Sequence, residues 1–133
     1  MEPTRKMLRA KIHRAIVTEA NVDYEGSLTI PPELLEATGI RQFEAIQVWN
    51  VDRGTRFETY AMTGIPDSGQ ICVNGAAAHL AQPGDRIIVA AFSEVPESMI
   101  DTMRPVVIFV DEKNRPVRTA QEVPGPRVRG DGC

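Results

Sequence analysis

The sequence has few of the residues that bind metals or cross-link small domains. Only two of its 133 residues are cysteine and two are histidine. Cys72 lies in an apolar strand pattern, where a buried free thiol is expected, and Cys133 is the last residue. The spacing between the two cysteines is not that of a metal site. We therefore expect neither a metal site nor a disulfide framework, and the cysteine usage is typical of a reducing cytosol.

Several further features are missing, and each excludes a class of function. The chain has no apolar run of membrane-spanning length and no signal-peptide pattern at its start. It has no P-loop, dinucleotide-binding glycine motif or Gly-x-Ser-x-Gly elbow. The net charge of −3 does not favour nucleic acid or an anionic membrane as a partner. We expect a soluble cytoplasmic protein.

The composition that remains is that of one compact domain, with 42% hydrophobic and 25% charged residues. Frequent glycine and proline turns between short apolar runs favour a mainly β, barrel-like fold. We predict one domain over residues 1–117 and a disordered tail over 118–133, which is rich in proline, glycine and arginine. The predicted strands are 7–17, 27–30, 45–51, 56–62, 70–74, 86–92 and 106–110, and the predicted short helices are 31–38, 76–80 and 96–102.

The dipeptide Gly26-Ser27 ends a polar turn and begins a strand. Its ordinary interpretation is a tight-turn glycine with a positive φ, followed by a strand serine. A second interpretation is chemical, because a serine hydroxyl can attack the preceding carbonyl and a glycine there leaves the approach open. The resulting ester can eliminate to dehydroalanine, which hydrolyses to a pyruvoyl group.

Several segments match one family together, although each is weak alone. They are Lys11-Ile-His13, Tyr24-Glu-Gly-Ser27, Ile46-Gln-Val-Trp-Asn50, Arg56-Phe-Glu-Thr-Tyr60 and Val73-Asn-Gly-Ala-Ala-Ala-His79. From about Met7 to Val110 the chain resembles the bacterial aspartate 1-decarboxylases, pyruvoyl-dependent lyases that make β-alanine for pantothenate. The resemblance implies a double-psi β-barrel with short helices, a homotetramer, and self-cleavage into a short β chain (1–26) and a long α chain (27–133).

The resemblance also implies roles for single residues. Ser27 becomes the covalent pyruvoyl group, which forms a Schiff base with L-aspartate, and Tyr60 returns a proton after carbon dioxide leaves. Thr59 supports the oxyanion of self-cleavage. Arg56 holds a substrate carboxylate, and Lys11 lies by the substrate or the new carboxylate of the short chain. Each of these residues could instead have an ordinary strand role. The sequence leaves open whether a maturation factor assists cleavage.

A second set of matched residues lies where a strand enters a turn. Asn74, Gly75, Ala76 and Ala77 offer backbone N–H groups and close approach to a substrate, as the resemblance implies, or they only form a strand end.

Three matched ring side chains receive no firm role from the sequence. His13 and His79 fit the family pattern, but a structural role is the better expectation for a lone histidine. Trp49 is expected in the core or at a subunit interface.

A different functional class remains as an alternative. The segment from Gly26 to Gly39 resembles the strand–helix unit of swapped-hairpin transcription regulators, which are small DNA-binding dimers. Such proteins need a basic surface, whereas residues 27–133 carry more acidic than basic groups. The alternative therefore depends on one segment only.

Overall fold

The structure is a computed structural model, and it describes residues 1–120. Nine strands hold 58 of these 120 residues. They are β1 (Thr4–Ile16), β2 (Glu19–Asn21), β3 (Ser27–Ile30), β4 (Ala45–Asn50), β5 (Arg56–Thr63), β6 (Cys72–Asn74), β7 (Arg86–Pro96), β8 (Val106–Val110) and β9 (Pro116–Ala120). One α-helix, α1 (Pro32–Thr38), and two 3₁₀ segments, Gly75–His79 and Glu97–Met99, complete the fold.

The strands form one mixed sheet in the order β2-β6-β3-β5-β4-β7-β1-β8-β9. Three pairs are parallel, namely β1 with β8, β2 with β6 and β3 with β5, and the remaining pairs are antiparallel. The prediction of a mainly β protein is confirmed, and the mixed sheet is consistent with the double-psi β-barrel that the resemblance implies. The strand β3, which begins at Ser27, lies between β5 and β6.

A single hydrophobic core follows from side-chain alternation along the strands. In β1, Ala10 and Ile12 are fully buried, whereas Arg9, Lys11 and His13 on the other face are half-buried. Equivalent buried positions recur in the neighbouring strands, at Leu28, Ile30, Ile46, Val48, Ile87 and Val89. Burying each large apolar side chain stabilises the fold by roughly 1.5–3 kcal/mol.

The helix α1 begins and ends close to the predicted residues. Proline in its first turn costs no hydrogen bond, because the first N–H groups of a helix have no intrahelical partner. Gly39 ends the helix in the left-handed conformation, with φ 76°, and donates its N–H to Leu35 O at 2.8 Å. With α1 only seven residues long, no helix in the described part of the chain could cross a membrane.

Two predictions on secondary structure are wrong. The strand β7 continues to Pro96 rather than ending at residue 92, because its outer half pairs with the start of β1 from Met7 to Thr4. The predicted helix over 96–102 is reduced to the 3₁₀ turn Glu97–Met99. The strand β2 was not predicted, since it has only three residues and owes its extended form to parallel pairing with β6.

The last described strand crosses the predicted end of the domain. Backbone pairing joins β9 to β8 as far as Ala120 opposite Val107. The predicted start of a disordered tail at residue 118 is therefore too early, because strand pairing uses backbone groups and needs no apolar side chain. Residues 121–133, the rest of the predicted tail, lie outside the described residues.

A buried asparagine joins three distant segments. Asn114 is 2% exposed and has a positive φ of 61°. Its Nδ2 donates to Ile16 O and to Gly69 O, both at 2.8 Å, and its Oδ1 accepts from Ile16 N at 2.7 Å. The end of β1, the loop before β6 and the turn between β8 and β9 are thereby held together.

Candidate active site

Ser27 is the first residue of β3 and is only 6% exposed. It pairs with Asn74 of the antiparallel strand β6, so the two side chains lie on one face of the sheet. Asn74 Nδ2 donates to Ser27 Oγ at 3.1 Å and to Thr29 Oγ1 at 3.0 Å. The hydroxyl at the predicted cleavage position is therefore both shielded from water and fixed by a hydrogen bond.

The Gly26 main chain lies against Gly75. Gly26 is exposed and has no positive φ, so the expectation of a left-handed turn glycine is wrong at this position. Gly75 does have a positive φ, 77°, and a Cβ built on it would lie 2.5 Å from Gly26 Cα and 2.6 Å from Gly26 N. The two glycines therefore make a backbone contact that no side chain at residue 75 would permit.

The strand β5 runs beside β3 in parallel, and Leu28 is opposite Ala61. Continued back by one residue, this register puts Tyr60 beside Ser27, and Thr59 is the residue of β5 that precedes Tyr60. Leu28 and Ala61 are both fully buried, so alternation places Ser27 and Tyr60 together on the opposite face of the sheet. Tyr60 and Thr59 are half-buried. The strand pairing thus brings the predicted proton donor and the predicted cleavage residues together.

The segment after Asn74 forms a 3₁₀ turn over Gly75–His79 rather than an α-helical turn. Gly75 is buried, Ala76 is exposed and Ala77 is half-buried. This turn follows the strand that pairs with β3, which places its main chain next to the Gly26–Ser27 bond.

Two predicted substrate-binding residues lie elsewhere in the chain. Arg56 begins β5 and places its guanidinium 5.0 Å from the centre of the Trp49 ring, on the opposite residue of β4. It precedes Tyr60 by four residues, or about 13 Å of extended strand. Lys11 lies on β1, whose neighbours are β7 and β8, whereas β3 is flanked by β5 and β6. Strand pairing within one chain does not bring either cation to Ser27.

The matched rings have local packing partners. His13 makes an edge-on contact with Phe109, with ring centroids 5.2 Å apart. His79 is exposed at the end of its 3₁₀ turn. Trp49 is half-buried, 6.5 Å from Phe92 between ring centroids, and does not belong to the core cluster. Of the two expectations for Trp49, the core position is wrong, and the subunit interface stays a prediction.

Cys72 lies on β6, two residues before Asn74, and is half-buried rather than fully buried as predicted. Its Sγ lies 3.2 Å from Glu19 Oε2. Burial, reinforced by the hydrogen bond to the Glu19 carboxylate, raises the pKa of the Cys72 thiol to about 11. The thiol therefore stays protonated at neutral pH.

A polar cluster that the sequence analysis missed anchors the far end of the 3₁₀ turn. Asp85 Oδ2 accepts from Asn50 Nδ2 at 2.9 Å, Arg53 Nε at 2.6 Å and Gln82 N at 2.9 Å. Burial acts to raise the pKa of Asp85, but these hydrogen bonds outweigh it and lower the pKa below its ordinary value. Leu80 O accepts from Asn50 Nδ2 at 3.2 Å and belongs to the same cluster.

Thr55 Oγ1 also donates to Leu80 O, at 2.6 Å. The β4–β5 hairpin is thereby fastened to Leu80, the residue that follows the 3₁₀ turn. A signal was present in the sequence, since Asn50 and Asp85 each stand at the junction of a turn and an apolar strand.

Comparison with known proteins identifies the family. A family model described as aspartate decarboxylase matches residues 3–117. A protein of Rhodopirellula baltica named aspartate 1-decarboxylase is 57% identical over 129 residues, covering 97% of this chain and 83% of that protein. Proteins of the same name from Legionella pneumophila and Myxococcus xanthus are 59% and 52% identical, over 84% and 94% of this chain.

The match decides between the two functional classes left by the sequence. The segment similar to DNA-binding regulators lies inside the region that the decarboxylase model covers, and full-length relatives carry the decarboxylase name. The resemblance inferred from the short motifs is confirmed. The chain belongs to the aspartate decarboxylase family.

Proposed function

We propose that this protein decarboxylates L-aspartate to β-alanine and carbon dioxide, using a pyruvoyl group that it makes from its own Ser27. The observation that carries the proposal is the placement of Ser27. Its hydroxyl is buried and held by Asn74, directly after the exposed residue Gly26. Family membership supports the reaction, and β-alanine is the product that pantothenate synthesis requires.

Self-cleavage needs no group from outside the chain except water. Ser27 Oγ attacks the Gly26 carbonyl carbon, the Gly26–Ser27 C–N bond breaks, and the acyl group is left as an ester on Oγ with a free amine on Ser27. Loss of the Ser27 α-proton then expels the Gly26 carboxylate and leaves dehydroalanine. Water replaces the nitrogen of that residue, which departs as ammonia. The products are a chain ending at Gly26 and a chain beginning with a pyruvoyl group.

The site's residues fit this group and its reaction. The pyruvoyl group supplies a ketone that takes up the substrate amine and accepts the electron pair released with carbon dioxide. Tyr60, beside Ser27 on the neighbouring strand, holds the proton that is returned to carbon. Thr59, one residue earlier on β5, supports the oxyanion during cleavage. Asn74 orients the reacting residue through its side-chain amide.

Substrate binding is the part of the proposal that extends beyond one chain. L-Aspartate carries two carboxylates, for which Arg56 and Lys11 are suitable partners. Within one chain Arg56 lies on Trp49, about 13 Å of strand away from Tyr60. We therefore include a homotetramer in the proposal, because strand pairing puts neither cation beside Ser27 and a neighbouring copy can supply them. The main chain of Gly75, Ala76 and Ala77 completes the substrate pocket.

The test is the intact mass of the purified protein under denaturing conditions. We expect two fragments split after Gly26, with the larger one lighter by one ammonia than simple hydrolysis would leave it. Borohydride should reduce its ketone and, with L-aspartate present, should trap the substrate on it. The cleaved protein should then release carbon dioxide from L-aspartate.

Two variants serve as controls. Ser27→Ala lacks the nucleophile and should remain uncleaved and inactive. Thr29→Val lacks the other hydroxyl that Asn74 contacts, and it should still be cleaved. An active Ser27→Ala protein would overturn the proposal. So would a parent chain that stays intact after prolonged warming, both alone and with a cell extract that supplies a maturation factor.

A further inference from the structure

The most restricted glycine near the predicted cleavage bond is Gly75. A Cβ at this position would lie 2.5 Å from Gly26 Cα, 2.6 Å from Gly26 N and 3.0 Å from Tyr24 O. All three are main-chain atoms, which cannot rotate away as a flexible side chain could. Ordinary contacts begin at 3.4 Å, so a side chain at residue 75 would displace the Gly26 main chain by about 1 Å.

Gly26 itself is under no comparable restriction. A Cβ on Gly26 would meet only Asn74 O, at 3.9 Å, which is an ordinary van der Waals distance. Its φ is not in the left-handed region, whereas Gly75 has φ 77°. The uncleaved fold therefore requires a glycine at residue 75 more strictly than at residue 26.

We propose that Gly75 is a positioning residue for self-cleavage, and that the dipeptide Asn74-Gly75 holds the two sides of the cleaved bond in register. Asn74 fixes Ser27 Oγ at 3.1 Å from its side-chain amide, on the nucleophile side. Gly75 lies against Cα and N of Gly26, the residue that carries the carbonyl to be attacked. This inference rests on the self-cleavage proposed above and concerns its first step, the attack of Ser27 Oγ on the Gly26 carbonyl carbon.

The expected effect follows from the size of the displacement. Moving a reacting group by about 1 Å costs on the order of 100-fold in rate. Gly75→Ala should therefore be cleaved about 100-fold more slowly than the parent chain. The rate is measured on the full chain by quenching samples in denaturant and determining the fraction of intact mass with time.

Two other glycines provide matched controls. Gly69 has φ 68°, and a Cβ on it would lie 2.4 Å from Lys113 O, so Gly69→Ala suffers the same strain away from the site. Gly54 has φ 75° with nothing within 4 Å, so Gly54→Ala tests the effect of φ alone. If Gly75 matters only for folding, Gly75→Ala and Gly69→Ala should slow cleavage equally. We expect only Gly75→Ala to slow it.

A second variant covers the case in which Gly75→Ala does not fold. Asparagine tolerates a positive φ better than alanine does. Gly75→Asn therefore has less backbone strain than Gly75→Ala, but its Cβ still clashes with the Gly26 main chain. It should fold and still be cleaved slowly. Hydroxylamine, which cuts esters, separates the steps of the reaction. It should not restore rapid cleavage to either Gly75 variant, because the ester forms slowly in them.

The possible outcomes distinguish the two proposals. A parent chain that never cleaves overturns self-cleavage and this inference with it. The role of Gly75 alone is overturned if the parent chain cleaves and both Gly75→Ala and Gly75→Asn cleave at the parent rate. The same holds if hydroxylamine restores the parent rate to both variants. Slow cleavage of the Gly75 variants beside normal cleavage of Gly69→Ala supports it.

Discussion

Removing the carboxylate of Asp85 should destabilise the protein more than any surface ion pair would. Asp85 is 6% exposed, and its Oδ2 accepts hydrogen bonds from Asn50, Arg53 and the backbone of Gln82. Asp85→Ala leaves these donors without their shared acceptor. Because Asn50 also holds Leu80 O, the change should loosen the junction between the β4–β5 hairpin and the turn beside Ser27.

The magnitude follows from the exposure of each partner. Losing one partner of a buried charge pair costs about 3–5 kcal/mol. Arg53 is 43% exposed and can be hydrated once Asp85 is gone, which favours the lower end of that range. Asn50 keeps Leu80 O as an acceptor. We therefore expect the free energy of unfolding to fall by about 3 kcal/mol, or the melting temperature by about 10 °C.

The assay is urea unfolding of the uncleaved Ser27→Ala chain at one fixed protein concentration, so that each subunit is a single polypeptide and all variants are compared in the same association state. Asp52→Ala is the control, since the Asp52 side chain is 31% exposed and its bonds go to the guanidinium and N–H of one residue, Arg86, so its removal should cost less. The reasoning would be refuted if both variants lost the same stability.

The pH dependence of stability gives a second readout. The pKa of Asp85 is lowered by folding, so its contribution is present above the ordinary aspartate pKa, about 4, and is lost as the pH falls through the lower folded-state pKa. Asp85→Ala should lack this part of the acid-induced loss of stability.

Two further predictions concern groups outside the site. Asn114→Ala should lower the free energy of unfolding by about 2–4 kcal/mol, because it removes three buried hydrogen bonds and strains a residue with φ 61°. Asn114→Gly should lower it less, because glycine adopts a positive φ without strain. Equal losses for the two variants in urea unfolding would contradict the backbone part of the argument. In a Cys133→Ser chain at pH 8, Cys72 should react with iodoacetamide about 100-fold more slowly than an ordinary thiol, because its pKa is about 11. Glu19→Gln should speed that reaction, and equal rates for folded and urea-unfolded protein would refute the expectation.

Local patterns in the sequence were sufficient where the structure is determined locally. The strand Ser27–Ile30 and the helix Pro32–Thr38 were predicted nearly to the residue, because prolines begin the helix and Gly39 ends it. The strand β2 was missed, since its three residues, Glu19-Ala20-Asn21, are too few to show an alternating pattern and depend on pairing with β6. Pairing of distant strands is a property that no local window of sequence contains.

The site was predictable in its residue types but not in its contacts. The motifs identified Ser27 and Asn74, which pair between β3 and β6, and Tyr60, which lies on β5, the other neighbour of β3. The reason that Gly75 must be glycine could not be inferred from the sequence, because its neighbour in space is Gly26, far away in the chain. Asp85 was missed for the same reason, since its partners include Asn50 on another strand.

The position of β1 within the sheet has a consequence for how the protein could be made. This strand lies between β7 and β8, and it belongs to the part of the chain before Gly26. Cleavage after Gly26 would turn its pairing into an association of two peptides, so unfolding would become dissociation and would depend on protein concentration. An uncut chain can form its sheet without a second peptide, whereas the cut chain could refold only if its two peptides met. Folding would thus have to precede cleavage, and a cut molecule that unfolds at high dilution would not recover.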